Sequence, residues 1–569
     1  MISAFISRYS FLFFSSFSFF FICSCHLPQR VDTLVINGKI YTVDSAFRTV
    51  QAMAIKNGKI IATGTTLDIQ TLYKADSIVD AKGNAVYPGF IDAHAHFVGY
   101  GRSLFEVNLY DCKDWDEAVA RVAEFAKNHP NELWIRGRGW DQNKFPGGTY
   151  PDNKTLNILF PTTPVLLQRV DGHAAIANEK ALEMAAVTAA TKLTGGEVAI
   201  AAGKPTGLLI DNAVDLVSSI IPKAQLPDYE KWLTAAQKNC FAQGLTTITD
   251  CGLPYYDVAM VDNLQQSGRL QMRLYVMLSD DATTYKQYMR VRAAALAGNN
   301  PAVAKRYVGN GPYKTDRLFV KGIKAYADGA LGSRGACLLQ HYADKPGWGG
   351  FLLSSPQHYD SLAAQLIGTD FQLCTHAIGD SGNRMVLNVY KKYLNGNNDK
   401  RWRIEHAQVV DPADFNAFGE SSIIPSVQPT HATSDMHWAI HRLGAERIKG
   451  AYAYKQLLAQ NGWLPLGTDF PVEDISPFKT FYAAVARTNA NGYPKGGFQR
   501  ENALTRRQAL QGMTIWAARA GFMEQEVGSI EVGKKADFVI LDKDLMMIPI
   551  NELLGVNVLS AWVGGKKVN

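Results

Sequence analysis

The amino-acid sequence predicts an α/β protein. Its expected fold is a (β/α)8 TIM-like barrel, with a composite β-sandwich domain built from N- and C-terminal segments and an inserted subdomain. Three observations carry this expectation. Eight apolar strand-like runs alternate with amphipathic helical stretches, which argues for parallel βα units in the number a closed barrel needs. The two chain ends share a texture of short strands and tight turns. Residues 98 to about 240 hold several helices and a strand-like run, too much for one helix between the first two barrel strands.

Taken in order, residues 1–25, "MISAFISRYSFLFFSSFSFFFICSC", carry one positive charge at Arg8 and then a Phe-rich apolar stretch. That stretch suits a secretory signal and is short for a membrane span. It ends in Ile22-Cys23-Ser24-Cys25, so a lipoprotein-type signal peptide is expected, with cleavage before Cys25 and acylation of that cysteine. A plain signal peptide or an uncleaved anchor is the alternative. Residues 26–85 form the first part of the β-sandwich: "TLVINGKIYTVD" and "TVQAMAIKNGKIIATG" each contain Asn-Gly, and are read as neighbouring hairpins. Residues 521–569, with "VGSIEVGKKADFVILD" and "VLSAWVGGKKVN", supply the second part.

Residues 86–520 make the barrel, with the insertion at about 98–240. Its strand candidates are "AVYPGFIDAHAH", "LTTITD", "MRLYVML", "FVKGIKAYADG", "FQLCTHA", "RWRIEHA", "SIIPSVQP" and "WLPLGTD". The insertion contains the strand-like "PVLLQRVDGH".

Composition narrows the function. The chain has 569 residues, 47% hydrophobic and 19% charged, with a net charge of only +6 and no basic cluster. Nucleic acid is therefore not an expected partner, and a small-molecule substrate is. Cys112, Cys240, Cys251, Cys337 and Cys374 are scattered without CxxC spacing, so a disulfide framework and a thiolate metal site are both unexpected.

The strand ends hold the chemistry. In "YPGFIDAHAHF" (87–97), His94 and His96 share a strand face, about 7 Å apart along the backbone, and Asp92, of the same parity, is expected as a neighbour in the site. An HxH pair alone is weak. The fifth strand, however, ends in His376, the sixth in His406 and the eighth in Asp469, and the fourth carries Lys324. A barrel gathers such residues at one mouth, and imidazoles gathered there can share a metal. A metal site is expected.

The order HxH, Lys, His, His, Asp resembles the amidohydrolase superfamily. "RGRGWDQN", "RVDGHAAIAN", "IKAYADGALGSR", "THAIGD", "EHAQ" and "GTDFPVE" resemble its amidohydrolase family 3 branch, the group similar to N-substituted formamide deformylases. The match runs over roughly residues 31–569. The resemblance implies that His94 and His96 bind one metal and that His376 and His406 bind a second. It also implies that Lys324, four residues before Asp328, is a carboxylated lysine bridging the two. Asp469 would be both ligand and catalytic acid–base, taking a proton from the attacking water and delivering it to the leaving nitrogen. Zn²⁺, as one or two divalent ions, suits these ligands and makes hydroxide available near neutral pH.

His173 and the pair Trp140-Asp141 belong to the inserted segment and are candidates to close over the substrate; Arg334 is a candidate for a polar or anionic substrate group. Without the resemblance they are packing, turn or solvated residues. His431, His437 and His441 lack the Glu of HExxH and are read as helix or rim residues.

The expected protein is an exported hydrolase, lipid-anchored to the bacterial envelope, cleaving a non-peptide C–N bond (amide, N-acyl or N-formyl) by metal-activated hydroxide. One alternative is an ester, lactone or phosphoester hydrolase with the same site; another is a non-catalytic ligand-binding surface lipoprotein. A homo-oligomer is allowed by the sequence but not specified.

Overall fold

The computed structural model describes residues 28–299 and 305–569. The signal region and Cys25 lie outside the described residues.

Seven parallel strands form the barrel sheet: β1 (Phe90–Ala95), β2 (Leu245–Leu253), β3 (Arg273–Ser279), β4 (Leu318–Tyr326), β5 (Gln372–Ala377), β6 (Arg403–His406) and β7 (Ile424–Ser426). Neighbours in space are neighbours in sequence order, as right-handed βα units require. Nearly every residue of β1 to β6 is buried, because helices cover the sheet outside and side chains fill it inside. The eighth stave is not a regular strand. "LPLGTD" is held on both sides all the same: Ala93 donates to the Leu466 carbonyl, Gly467 to the Val427 carbonyl and Asp469 to the His94 carbonyl, closing the ring. A Cβ on Gly467 would lie 2.5 Å from the His94 nitrogen, so only glycine permits this approach.

The first strand candidate is divided in two. Ala85–Pro88 pairs with Phe538–Leu541 in a six-stranded sheet of the small domain, and only the residues after Gly89 enter the barrel. Strands from both ends of the chain thus share one sheet. That sheet faces a four-stranded sheet of residues 29–80 across a common core that includes Val35, Met53, Ile60, Val86, Phe538 and Ile540. This is the composite sandwich. Of the two Asn-Gly signals, one makes a hairpin: Asn57 and Gly58 have φ of 52° and 72°, the left-handed pair of a type I′ turn between Ala52–Lys56 and Lys59–Gly64. At Asn37-Gly38 the expected hairpin is absent. There Gly38 donates to the Gln51 carbonyl and Lys39 to the Asn84 carbonyl, so the chain crosses from one sheet to the other.

The insertion contains a six-stranded sheet spanning residues 107–211, in which Val165–Arg169 is the strand read from "PVLLQRVDGH". Helix Leu226–Ala242, inside the expected insertion, packs instead on Phe97–Ser103 and leads into β2.

Candidate metal centre

The ends of β1, β4, β5 and β6 and the eighth stave bring six predicted side chains together. Register sets their level: Tyr326 lies beside His376, and Ala377 beside His406. His96 Nε2 is 3.1 Å and His94 Nε2 3.6 Å from Asp469 Oδ1, and Lys324 Nζ is 3.3 Å from His94 Nε2. The rings of His376 and His406 are 4.5 Å apart, and those of His94 and His406 4.8 Å. His406 (φ 74°) and Asp469 (φ 64°) both adopt the left-handed backbone region. Such a conformation costs on the order of 1–3 kcal/mol for a non-glycine residue and persists where its surroundings impose it.

Burial and neighbouring charge set the protonation states. Burial and the adjacent Lys324 push the His94 imidazole down to about 4. Burial also holds His376 and His406 well below the ordinary histidine value, with the crowding of neighbouring histidines and Lys324 adding to it. These imidazoles are neutral near pH 7. Burial opposes ionisation of Asp469, but contact with His96 and the nearby His94 and His406 keep its carboxyl well below the usual range. The centre therefore presents neutral nitrogen donors and one carboxylate, the donor set of a Zn²⁺-type ion.

Two buried nitrogens facing this centre, His376 Nε2 and His431 Nε2, have no hydrogen-bond partner among the described residues. An unmet buried polar atom costs about 1–3 kcal/mol, a cost that coordination to a cation would remove. Ligand atoms of His94, His96 and Asp469 lie within 4.8 Å of one another. The residues fit a metal.

Several residues not singled out by the sequence hold these groups. Glu405 Oε2 bonds His94 Nδ1, and Glu405 is itself gripped by the fully buried Arg403 at 2.7 Å. Burial would raise the Glu405 carboxyl, but Arg403 and His94 hold it at about 2. An anion at Nδ1 keeps the proton there and leaves the His94 Nε2 lone pair facing the centre. Gln428 does the same for His406 through Nδ1, at 2.8 Å. Asp328 accepts from the backbone nitrogens of Cys337, Ile378 and Gly379 at 2.8–2.9 Å, pinning the loop after β5. These residues stand in "EHAQ", "SVQP" and "ADG", but the groups they hold lie on other staves and loops.

Other expectations are corrected. Asp92 is not in the site: its carboxylate accepts from Thr468 N, Thr468 Oγ1 and His94 N, tying the first stave to the eighth. His431 is not merely a rim residue, since its Nε2 is 3.7 Å from Asp469 Oδ2. Trp140 is fully buried in the inserted core and donates to the Leu167 carbonyl, so it does not face substrate. Arg334 pairs with Asp344 at 2.9 Å and lies outside the cavity wall. The other two inserted residues do line the cavity of about 1020 Å³ above the centre. Asp141 is neutralised by Arg169, which also binds Asp171. His173 Nδ1 is 2.6 Å from buried Asp211, with its ring 5.1 Å from that of His376.

A family model described as "Amidohydrolase family" matches residues 77–569. The chain is 33% identical to Protein LONG AFTER FAR-RED 3 of Arabidopsis thaliana, over 94% of this chain and 91% of that one. It is 25% identical to N-substituted formamide deformylase of Arthrobacter pascens, over 95% of this chain and 98% of that one. A crystal structure of an uncharacterized metal-dependent hydrolase from Pyrococcus horikoshii superposes with a TM-score of 0.72 at 26% identity, covering 91% of this chain and 99% of the other.

Proposed function

Because the chain belongs to the amidohydrolase family, we propose that this metal-dependent hydrolase cleaves a non-peptide C–N bond, an amide, N-acyl or N-formyl group, in a small molecule. The observation that carries the reading is the meeting of His94, His96, His376, His406 and Asp469 at one barrel end, with unmet imidazole nitrogens beneath an open cavity. The similarity to a formamide deformylase supports the choice of bond.

His94, His96, His376, His406, Asp469 and, if carboxylated, Lys324 would hold one or two divalent ions, with zinc the best match to the donors. When bound, such an ion lowers the pKa of water and polarises a carbonyl. The protein's own groups do the remainder. Asp469, anionic and anchored through its backbone to His94, can take a proton on a carboxylate oxygen and return it to the departing nitrogen. Glu405 and Gln428 fix imidazole tautomers before substrate arrives, so no reorientation is needed during the reaction. His173, oriented by Asp211 and beside His376, lines the cavity from the inserted segment and can hold a substrate oxygen or leaving group. A lipid anchor at Cys25, and hence an envelope location, belongs to the same proposal and rests on the signal-like N-terminus; loss of lipid labelling in Cys25→Ala is the expected result.

The test is a panel of N-formyl, N-acyl, lactone and phosphotriester compounds assayed with metal-analysed protein. Turnover of the amides is expected. Turnover of lactones or phosphotriesters alone would move the chemistry to another bond.

A further inference from the structure

We infer that His431 is a ligand in a second cation position, formed with His406 and the outer carboxylate oxygen of Asp469. The inference rests on the metal-dependent reading above and extends it to a residue outside the strand-end set. Asp469 looks two ways: Oδ1 faces His94 and His96, whereas Oδ2 faces His431 Nε2 at 3.7 Å. Two donors on one tetrahedral ion with bonds of ~2.1 Å lie about 3.4 Å apart, so separations of this size need only small adjustment. The ligand atoms of His406, His431 and Asp469 all fall within 4.8 Å of one another.

Two features aim His431 at that point, and a third aims His406 there. The His431 Nε2 is buried without a hydrogen-bond partner among the described residues, in a residue only 8% exposed. The ring runs parallel to His406, 11° between planes and 6.0 Å between centroids, so both imidazoles border the same space. His406 bonds Gln428 through Nδ1, which directs its Nε2 lone pair inward. The backbone holds the arrangement: His431 stands in the first turn of helix Pro429–Arg447, and that helix is tied down by Ser434 on Glu473 (2.5 Å) and by Tyr452 on Asp435 (2.9 Å). An ordinary helix histidine at a rim would give its nitrogen to solvent or to a neighbour; this one gives it to neither. Asp469 would then span two cations, one oxygen to each. Lys324 lies outside this second set, against His94.

The experiment is calorimetric titration of Zn²⁺ into chelator-treated full-length protein, with metal content after dialysis measured by mass spectrometry. Wild type is expected to hold two equivalents. His431→Ala should lose one equivalent, or bind it at least tenfold more weakly, while His441→Ala on the exposed side of the same helix behaves as wild type. Unchanged stoichiometry and affinity in His431→Ala overturns the inference. Wild type that binds no transition metal overturns the hydrolase reading itself, and the inference with it. Thermal melting of the metal-free variant checks the fold; if His431→Ala melts early, His431→Gln is judged by the same two measurements.

Discussion

The barrel mouth and the inserted wall above it treat polar side chains in opposite ways. At the mouth, groups from five staves and His431 converge, and the Nε2 atoms of His376 and His431 are left unmet among the described residues. On the wall the charged groups pair with one another: Arg169 with Asp141 and Asp171, and His173 with one oxygen of Asp211, whose other oxygen has no partner among the described residues. A surface that leaves buried donors and acceptors unpaired is arranged for something that arrives later; one that pairs them internally sets shape and local charge. The barrel should therefore govern the chemistry and the insertion the choice of substrate.

Substitutions can break or sharpen that contrast. The largest effect is expected at Asp469. Asp469→Asn should lower kcat by about 10²–10⁴-fold on any amide the enzyme turns over, with circular dichroism unchanged, because it removes the proton-carrying carboxylate. An Asn enzyme with near-normal kcat would refute the assignment. Next is Glu405→Gln, which touches no substrate. Loss of the anion behind His94 should weaken metal binding by about 10–100-fold in equilibrium dialysis, and added metal should restore much of the activity. His173→Asn should reduce kcat/KM by about tenfold, the value of one good hydrogen bond to substrate, without changing metal content. If metal content fell instead, the wall would share in the centre and the contrast would fail. Arg334→Ala should be the mildest: kcat/KM within twofold, and at most about 1 kcal/mol lost in chemical denaturation, since its half-exposed partner Asp344 keeps Arg442.

Much of this was legible because a barrel converts order along the chain into neighbours in space. His94, His376, His406 and Asp469 could be read as strand ends from apolar runs alone, and closure then brought them together. What stayed hidden depends on contacts that no period encodes. Glu405 and His406 are consecutive, yet both reach His94, more than three hundred residues away in sequence, because His406 leaves the strand conformation. Asp92 shares parity with the histidines, yet the close passage of Gly467 and Thr468 captures it. The first Asn-Gly is locally indistinguishable from the second; only competition from the Gln51 and Asn84 carbonyls draws the chain out of a hairpin. His431 lies in a helix, and its relevance is set by where β7 leaves the barrel.

The pairing of Tyr87 with Val539 also has a bearing on how the molecule is made. The edge formed by residues 85–88 waits, unmatched, through synthesis of the entire barrel until residues 538–541 are made, about 450 residues later, which is roughly 20–90 s at ~5–20 residues per second. Until then an apolar strand edge is open to wrong partners, so truncation near residue 530 should yield insoluble chains even though every metal-facing side chain is present.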